Sequence, residues 1–211
     1  MILASASPRR RELLQDLGID ARVMPANCDE TRKDGEGALE LVERLARGKA
    51  EACLHRLEEL GETLRETILA ADTIVWLDDE TVLGKPRSKE DAKRMLRLLS
   101  GRTHRVSTGV CLLGTHRRTS FTETTEVEFF PLDESLISAY VESGEPLDKA
   151  GSYGIQGLGR LLVKGIRGDY FNVVGLPVAR TIRALSQMES AQAEGALALV
   201  SERCKPDGSH E

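Results

Sequence analysis

Residues 68 to 86 read ILAADTIVWLDDETVLGKP and predict the central strand of the protein. Residues 68 to 77 are an apolar, partly β-branched run of the length of one buried strand. A turn is predicted at residues 78 to 80, and if the two arms pair as a hairpin, Asp72 and Lys85 face one cleft. A buried carboxylate is costly unless a cation, a metal or hydrogen-bond donors meet it. Asp72 and Lys85 therefore either serve a metal-bound phosphate ester, or are a turn cap and a solvated loop lysine.

Composition excludes several classes of protein. The 211 residues suffice for one buried domain with two lobes, and a net charge of −5 argues against a general nucleic-acid surface. The four cysteines and four histidines lack the spacing of a zinc site, and scattered cysteines are typical of reduced thiols. No apolar run suits a membrane span, and no signal peptide is visible. We therefore expect a cytoplasmic protein that binds neither nucleic acid nor membrane.

Residues 5 to 11, SASPRRR, form a candidate anion site. They follow a short predicted strand, and Ser7 and Pro8 suit the N-cap and the first position of a helix. Backbone N–H groups, two hydroxyls and three arginines then meet at a positive helix end. Arginines oppose the helix dipole there, which favours phosphate binding over the alternative of a capped surface helix with solvated arginines.

A long helix is predicted at residues 38 to 60, and Lys49 lies within its apolar stripe. This lysine either snorkels to water, which is the commoner outcome, or reaches a polar site beneath the helix. Asp29 and Glu30 lie in the loop before the helix. They are of interest only if the fold brings them to Asp72.

The second half of the chain contains a glycine-rich loop at residues 144 to 159, which reads GEPLDKAGSYGIQGLG. Such a loop lets a backbone approach a ligand closely, and its polar candidates are Asp148, Lys149 and Gln156. Its glycine spacing is not that of a dinucleotide-binding loop. Helices are predicted at residues 88 to 101, 133 to 143 and 175 to 190, and strands at residues 106 to 114, 119 to 130, 161 to 166 and 171 to 174.

Eight segments of the chain together resemble the Maf family of nucleoside triphosphate pyrophosphatases. They read LASASPRRRELL, CDE, RLARGKA, AADTIV, LGKP, GRTHRVSTGV, GEPLDKAGSYGIQG and NVVGLP. The GIQG form is similar to the branch that acts on dTTP and UTP, whereas another branch has an acidic residue in this loop and prefers 7-methyl-GTP. The resemblance covers residues 1 to 187 and leaves residues 188 to 211 as a partly disordered C-terminal extension.

The resemblance implies an α/β fold like that of Maf proteins and inosine triphosphatases. This fold has an extended, curved mixed sheet with flanking helices, and two lobes around a central cleft. The resemblance also implies a divalent metal cation, Mg²⁺ or Mn²⁺, and a homodimer.

The same resemblance assigns roles to residues singled out above. Asp72 is the implied general base and metal ligand, and Glu30 is a second acidic group at the metal. The groups implied to hold the triphosphate are Arg9, Arg10, Lys49 and Lys85, of which the two lysines are also catalytic. Ser5 and Ser7 are expected to line the phosphate cradle, and Thr73 and Gln156 to select the base.

The implied reaction is hydrolysis of dTTP or UTP to a nucleoside monophosphate and pyrophosphate, by metal-assisted attack of water on the α-phosphorus. CTP and modified pyrimidine nucleotides are further candidate substrates. One alternative is a nucleotide-binding regulator of cell division or septum formation without significant turnover, and another is a phosphatase that releases phosphate. The charged residues Glu30, Lys49, Asp72 and Lys85 argue against the regulator.

Overall fold

The strand predicted at residues 68 to 77 lies in the middle of the fold. In the computed structural model, which describes residues 1–189, seven strands form one mixed sheet. They are β1 (Ile2–Leu3), β2 (Arg22–Val23), β3 (Ile68–Trp76), β4 (Val82–Leu83), β5 (Thr103–Leu113), β6 (Arg118–Phe129) and β7 (Val163–Arg167). Their order is β2-β1-β3-β5-β6-β7, and β4 also pairs with β3. The predicted α/β fold with a mixed sheet is confirmed.

One edge of β3 has a gap between two short partners. β1 runs parallel to β3 and pairs with its residues Ile68 and Leu69, whereas β4 runs antiparallel and pairs with Val75 and Trp76. The other edge of β3 is paired with β5 along its whole length. Residues 70 to 74 therefore face a gap in the sheet, and the chain segments that leave β1 and β4 lie at its two ends. The predicted hairpin after β3 is confirmed.

Helices cover both faces of the sheet. They are α1 (Pro8–Gln15), α2 (Ala38–Glu59), α3 (Lys89–Leu99), α4 (Glu134–Glu142), α5 (Tyr170–Val174) and α6 (Val178–Glu189). α2 packs on the face that contains Ile68 and Ala70. Because side chains alternate along a strand, Leu69 and Ala71 face the other side, where they pack with α1 and α6.

Two apolar cores lie on the face opposite α2. The core with α1 and α6 includes Leu69 and Ala71 of β3, and the core with α3 and α4 includes Val75. Thr73 points to the same face and lies between them. The two cores correspond to the two predicted lobes.

One local prediction is wrong. Residues 171 to 174 were predicted as a strand from their aromatic and β-branched side chains, but they belong to α5. The carboxylate of Asp169 accepts a hydrogen bond from Phe171 N at 2.8 Å and thereby caps this helix. Thr125 on β6 is buried, and its hydroxyl donates to the carbonyl of Asp169. In α2, Leu41 is buried in the core and Leu39 is exposed.

The C-terminal extension predicted at residues 188 to 211 lies outside the described residues from residue 190 onward. The helix predicted at residues 175 to 190 is α6, which extends to the last described residue. Within residues 1–189, no helix has the length and apolar character needed to cross a membrane.

Candidate active site

Lys49 extends from α2 to the sheet and bridges two carboxylates. Its Nζ donates to Oδ1 of Asp72 on β3 and lies 2.7 Å from Oε1 of Glu30 in the loop before α2. The side chains of Lys49 and Asp72 are largely buried, whereas that of Glu30 is mostly exposed. Lys49 therefore reaches a polar site and does not snorkel. Asp29 does not join this site, since its carboxylate accepts from Thr31 N at 2.9 Å.

The charge state of this cluster follows from its geometry. Burial lowers the pKa of Lys49, but the charges and hydrogen bonds of Asp72 and Glu30 outweigh burial, so the pKa is raised above its ordinary value. Lys49 is therefore an ammonium donor at neutral pH and cannot accept a proton. Asp72 is the carboxylate in the cluster that a buried partner holds in place. Unlike the ammonium, a carboxylate can accept a proton.

Arg10, in the first turn of α1, is almost fully buried among neutral acceptors. Its Nε donates to the carbonyl oxygen of Gly175 at 2.8 Å, Nη1 donates to Oγ of Ser5 at 3.0 Å, and Nη2 donates to Oγ1 of Thr73 at 3.0 Å. In the part of the chain that the structure describes, no carboxylate forms an ion pair with Arg10. Burial lowers its pKa, against the opposing charge of Asp72, but a guanidinium stays protonated.

A buried cation without a paired anion is expensive in any fold. Three of the five N–H groups of Arg10 are bonded, which leaves two donors for another partner. This arrangement is expected where an anionic ligand supplies the missing charge.

The other predicted phosphate-binding groups lie closer to solvent. Arg9 Nη1 lies 3.3 Å from Oδ2 of Asp148, which joins α1 to the glycine-rich loop. Lys85 is exposed, and it has no ion-pair partner among residues 1–189. Ser7 occupies the N-cap position of α1, but its hydroxyl makes no capping hydrogen bond. Its N–H donates to Oγ of Ser5 at 3.2 Å, so the backbone of this turn is held by the more buried serine.

The two residues predicted to select the base lie in different surroundings. The hydroxyl of Thr73 is half-buried and bonded to Arg10 and to Oγ1 of Thr108, 2.9 Å away. Gln156 is exposed and lines an open groove of about 530 Å³ together with Lys164 and Tyr170. Within the described residues, Gln156 makes no hydrogen bond to either of the clusters around Lys49 and Arg10.

Glu145 organises the glycine-rich loop, a role that sequence reasoning missed. Its carboxylate accepts from Leu158 N at 2.8 Å, from Gly159 N at 3.1 Å and from the hydroxyl of Tyr140 at 3.1 Å. Burial raises the pKa of Glu145, but these donors outweigh burial and hold the pKa below its ordinary value. The ionised carboxylate therefore fixes the segment that carries Gln156.

The two carboxylates that contact Lys49 could bind a metal ion whose other ligands are phosphate oxygens. Among residues 1–189, no group of three or more histidine, cysteine, aspartate or glutamate side chains is arranged to hold a metal ion. Asp72 and Glu30 supply two carboxylates around one cation. Mg²⁺ commonly uses one or two carboxylates together with phosphate oxygens and water. The donor set suits such a shared site and does not suit a metal held by the protein alone.

The sequence model of the family described as Maf-like protein matches residues 1–188. The chain belongs to the Maf family. Among similar Maf relatives, a dTTP/UTP pyrophosphatase of Halalkalibacterium halodurans is 48% identical over 185 residues, which are 88% of this chain and 94% of that protein. A dTTP/UTP pyrophosphatase of Koribacter versatilis is also 48% identical over 185 residues, 88% of this chain and 92% of that protein. One of Bacillus velezensis is 48% identical over 187 residues, 89% and 95% of the two chains. The resemblance to the Maf family is thus confirmed.

Proposed function

We propose that this chain is a dTTP/UTP pyrophosphatase, which hydrolyses dTTP and UTP to the nucleoside monophosphate and pyrophosphate. CTP and modified pyrimidine nucleotides are further substrates to be tested. The observation that most supports the proposal is the buried Arg10, which has no carboxylate partner among residues 1–189, at the strand-edge gap that also presents Asp72. The cation for phosphate bonds to Thr73, which is next to the carboxylate for proton transfer, Asp72, on β3. The names of the relatives support the choice of nucleotide.

Asp72 is the proposed general base. Its carboxylate accepts the proton of the water that attacks the α-phosphorus. The Lys49 ammonium orients this carboxylate through the hydrogen bond to Oδ1. Lys49 thereby holds the base without competing for the proton, and Glu30 holds Lys49.

The cations of the site are proposed to bind the leaving pyrophosphate. Arg10 is fixed by its three neutral acceptors, so its two remaining N–H groups are aligned before the substrate arrives. Arg9 and Lys85 approach the same gap from its two ends, after β1 and after β4. Fixed cations stabilise the charge that builds on the leaving group. Ser5 and Ser7 line the phosphate cradle in this proposal.

A divalent cation, Mg²⁺ or Mn²⁺, held by Asp72 and Glu30 would neutralise phosphate oxygens and lower the pKa of the attacking water. Base selection is assigned to Thr73 and Gln156. Thr73 acts from the gap itself, and Gln156 acts from the loop that Glu145 fixes.

We also propose a homodimer located in the cytoplasm. The homodimer rests on the family resemblance, and light scattering of the purified chain tests it. The compartment is supported by the cysteines, since Cys28, Cys53 and Cys111 are free thiols among the described residues, which is typical of a reducing environment. Binding of nucleic acid or membrane is not expected, because the net charge is −5.

The proposed function is tested with an assay specific for pyrophosphate. The panel comprises dTTP, UTP, CTP, GTP, 7-methyl-GTP and modified pyrimidine nucleotides, each with Mg²⁺, with Mn²⁺ and with a chelator. We expect release of pyrophosphate from dTTP and UTP that requires the metal. Release of inorganic phosphate as the first product would identify a phosphatase. Tight binding of nucleotide without any turnover would instead support the regulator.

A further inference from the structure

A buried chain of hydrogen bonds extends from Arg10 into the sheet behind it. Thr108 on β5 donates from its hydroxyl to the carbonyl oxygen of Asn172 at 3.1 Å. Because this hydroxyl has one proton, it accepts in its 2.9 Å contact with Thr73 Oγ1. The Thr73 hydroxyl is then the donor in that contact, and its oxygen accepts from Nη2 of Arg10. The direction of every hydrogen bond in the chain is therefore determined.

The carbonyl oxygen of Asn172 connects two of the three acceptors of Arg10. It accepts from Thr108, which holds Thr73, and it accepts from the backbone N–H of Gly175 at 3.1 Å. The carbonyl of Gly175 in turn accepts from Nε of Arg10. The Gly175 N–H also donates to the carbonyl of Phe171 at 3.0 Å, so the Asn172 carbonyl holds the Thr73 hydroxyl through Thr108 and shares in holding the Gly175 peptide.

Asn172 is itself anchored to the sheet. Its side chain is fully buried, and Nδ2 donates to the carbonyl of Val106 on β5 and to Oγ1 of Thr125 on β6, both at 3.0 Å. These bonds attach the five-residue helix α5 to two strands. Neither Asn172 nor Thr108 is accessible to solvent, so neither can contact a ligand in the gap.

We propose that Thr108 and Asn172 are positioning residues, which align the guanidinium of Arg10 for phosphate through Thr73 and Gly175. The inference rests on the proposed function only in that Arg10 binds a phosphate of the substrate. Without the Thr108 hydroxyl, the acceptor that remains for the proton of Thr73 among residues 1–189 is the Gly175 carbonyl at 3.5 Å, which also accepts from Arg10 Nε. The Thr73 hydroxyl must then rotate towards that carbonyl, which turns its lone pairs away from Nη2 of Arg10, and Arg10 loses its alignment.

The test compares Thr108→Val, which keeps the shape but removes the hydroxyl, with Thr108→Ser, which keeps the hydroxyl. Pyrophosphate is the probe, and its dissociation constant is measured by calorimetry beside KM and kcat for dTTP. For Thr108→Val we expect a dissociation constant and a KM that are ~10-fold higher, with a smaller change in kcat, and restoration by serine. Thr122→Val is the matched control on β6, because the buried hydroxyl of Thr122 has no partner among residues 1–189, and it should bind pyrophosphate as the parent does.

A double-mutant cycle separates positioning from general damage. In an Arg10→Ala background, Thr108→Val should change the pyrophosphate dissociation constant by less than ~2-fold, because Thr108 acts only through Arg10. If the valine variant does not fold, as judged by thermal melting, Thr108→Ala takes its place in the cycle.

Three results would overturn the inference. In the first, Thr108→Val binds pyrophosphate as tightly as the parent does. In the second, Thr108→Val weakens pyrophosphate binding by the same factor in the Arg10→Ala background. In the third, Thr108→Ser does not restore the binding of pyrophosphate. A parent that binds pyrophosphate but releases none from dTTP refutes the proposed function, and the comparison of dissociation constants still decides the role of Thr108.

Discussion

A Cβ atom added to Gly109 would lie 2.4 Å from the carbonyl oxygen of Val42. Gly109 on β5 is directly opposite Asp72 on β3. The backbone of α2 can therefore lie against the sheet at the row of the proposed general base, and this close approach lets Lys49 reach Asp72.

Gly109→Ala should push α2 away from the sheet. We expect a loss of ~2–3 kcal/mol in the free energy of unfolding, as for overpacked cores, together with a loss of turnover as Lys49 withdraws from Asp72. Urea denaturation and the pyrophosphate assay measure the two effects. Gly48→Ala is the matched control on α2, since its Cβ would meet Cys28 at an ordinary 3.4 Å and alanine favours the helix. Unchanged stability of Gly109→Ala would contradict the packing argument.

Asp72→Asn should remove the proposed base and leave the fold intact. We expect kcat to fall by at least ~10²-fold, the usual range for losing general-base help. The free energy of unfolding should fall by only ~1 kcal/mol, because Lys49 keeps Glu30 as a partner. Steady-state kinetics and thermal melting on the same samples measure both, with the exposed Asp20→Asn as the control. Near-normal turnover of Asp72→Asn would refute the assignment.

Lys49→Met should increase the affinity of the free protein for a divalent cation. The ammonium lies between Asp72 and Glu30, so its removal leaves two carboxylates that repel each other and attract Mn²⁺. We expect binding of Mn²⁺ without nucleotide to tighten by ~10-fold or more, measured by electron paramagnetic resonance, while turnover falls. Lys89→Met, which breaks an exposed pair with Glu142, is the control. Equal affinities in parent and Lys49→Met would exclude this account of the cluster.

Gln156→Glu should change the choice of base. A glutamine amide can accept from N3–H of uracil or thymine and donate to a carbonyl, whereas an ionised glutamate only accepts. We expect kcat/KM for dTTP and UTP to fall by ~10-fold or more. Stability should not change, because the side chain is exposed and shares its groove with Arg160 and Lys164.

The readout for Gln156→Glu is kcat/KM on dTTP, UTP, GTP and 7-methyl-GTP. Equal losses on all four nucleotides would mean that Gln156 shapes the loop and does not read the base.

Acid should destabilise the protein through His104. Burial between Phe129 and Tyr153 lowers the pKa of His104 from 6.5 to about 3. The unfolded chain therefore binds the proton first, and the stability that the neutral ring confers is complete above pH 6.5 and is lost as the pH falls towards 3. Between pH 7 and pH 5 we expect a loss of ~2 kcal/mol in the free energy of unfolding.

His104→Gln supplies the comparison for the acid effect. Glutamine can still bond to the hydroxyl of Tyr153, which lies 2.7 Å from Nε2 in the parent. The variant should be less stable at pH 7 and should lose less stability on acidification. Urea titrations of both proteins at pH 7 and pH 5 measure the free energy of unfolding. If the two proteins lose the same free energy between these pH values, His104 is not the cause of the acid effect.

Local signals in the sequence predicted most of the elements. The β-branched run that includes Asp72 gave β3, and the spacing of apolar residues around Lys49 gave α2. The helix predicted at residues 88 to 101 is α3, and Ser88 caps it, since its hydroxyl accepts from Asp91 N at 3.1 Å. The strand predicted at residues 171 to 174 is wrong because the prediction followed the composition of these residues and did not consider the helix cap that Asp169 forms.

The surroundings of the site could not be predicted, because they join distant segments. Arg10 meets the carbonyl of Gly175 from the far end of the chain. A backbone carbonyl carries no signal in the sequence, and neither does the burial of Asn172. The choice between the two alternatives for Lys49 likewise depends on Gly109, whose lack of a side chain matters only once α2 is docked.

The gap beside β3 also has a consequence for the order of folding. β5 and β6 are joined by a short turn, whereas β1 reaches β3 only after the chain between Leu3 and Ile68 has closed into a loop. A loop of that length closes slowly, and its closure forms a strand pairing of only two residues. The segment with Ser5 and Arg10 is therefore expected to dock late. During refolding, catalytic competence should lag behind the formation of the hairpin, because the phosphate cradle belongs to the slowest contact in the sheet.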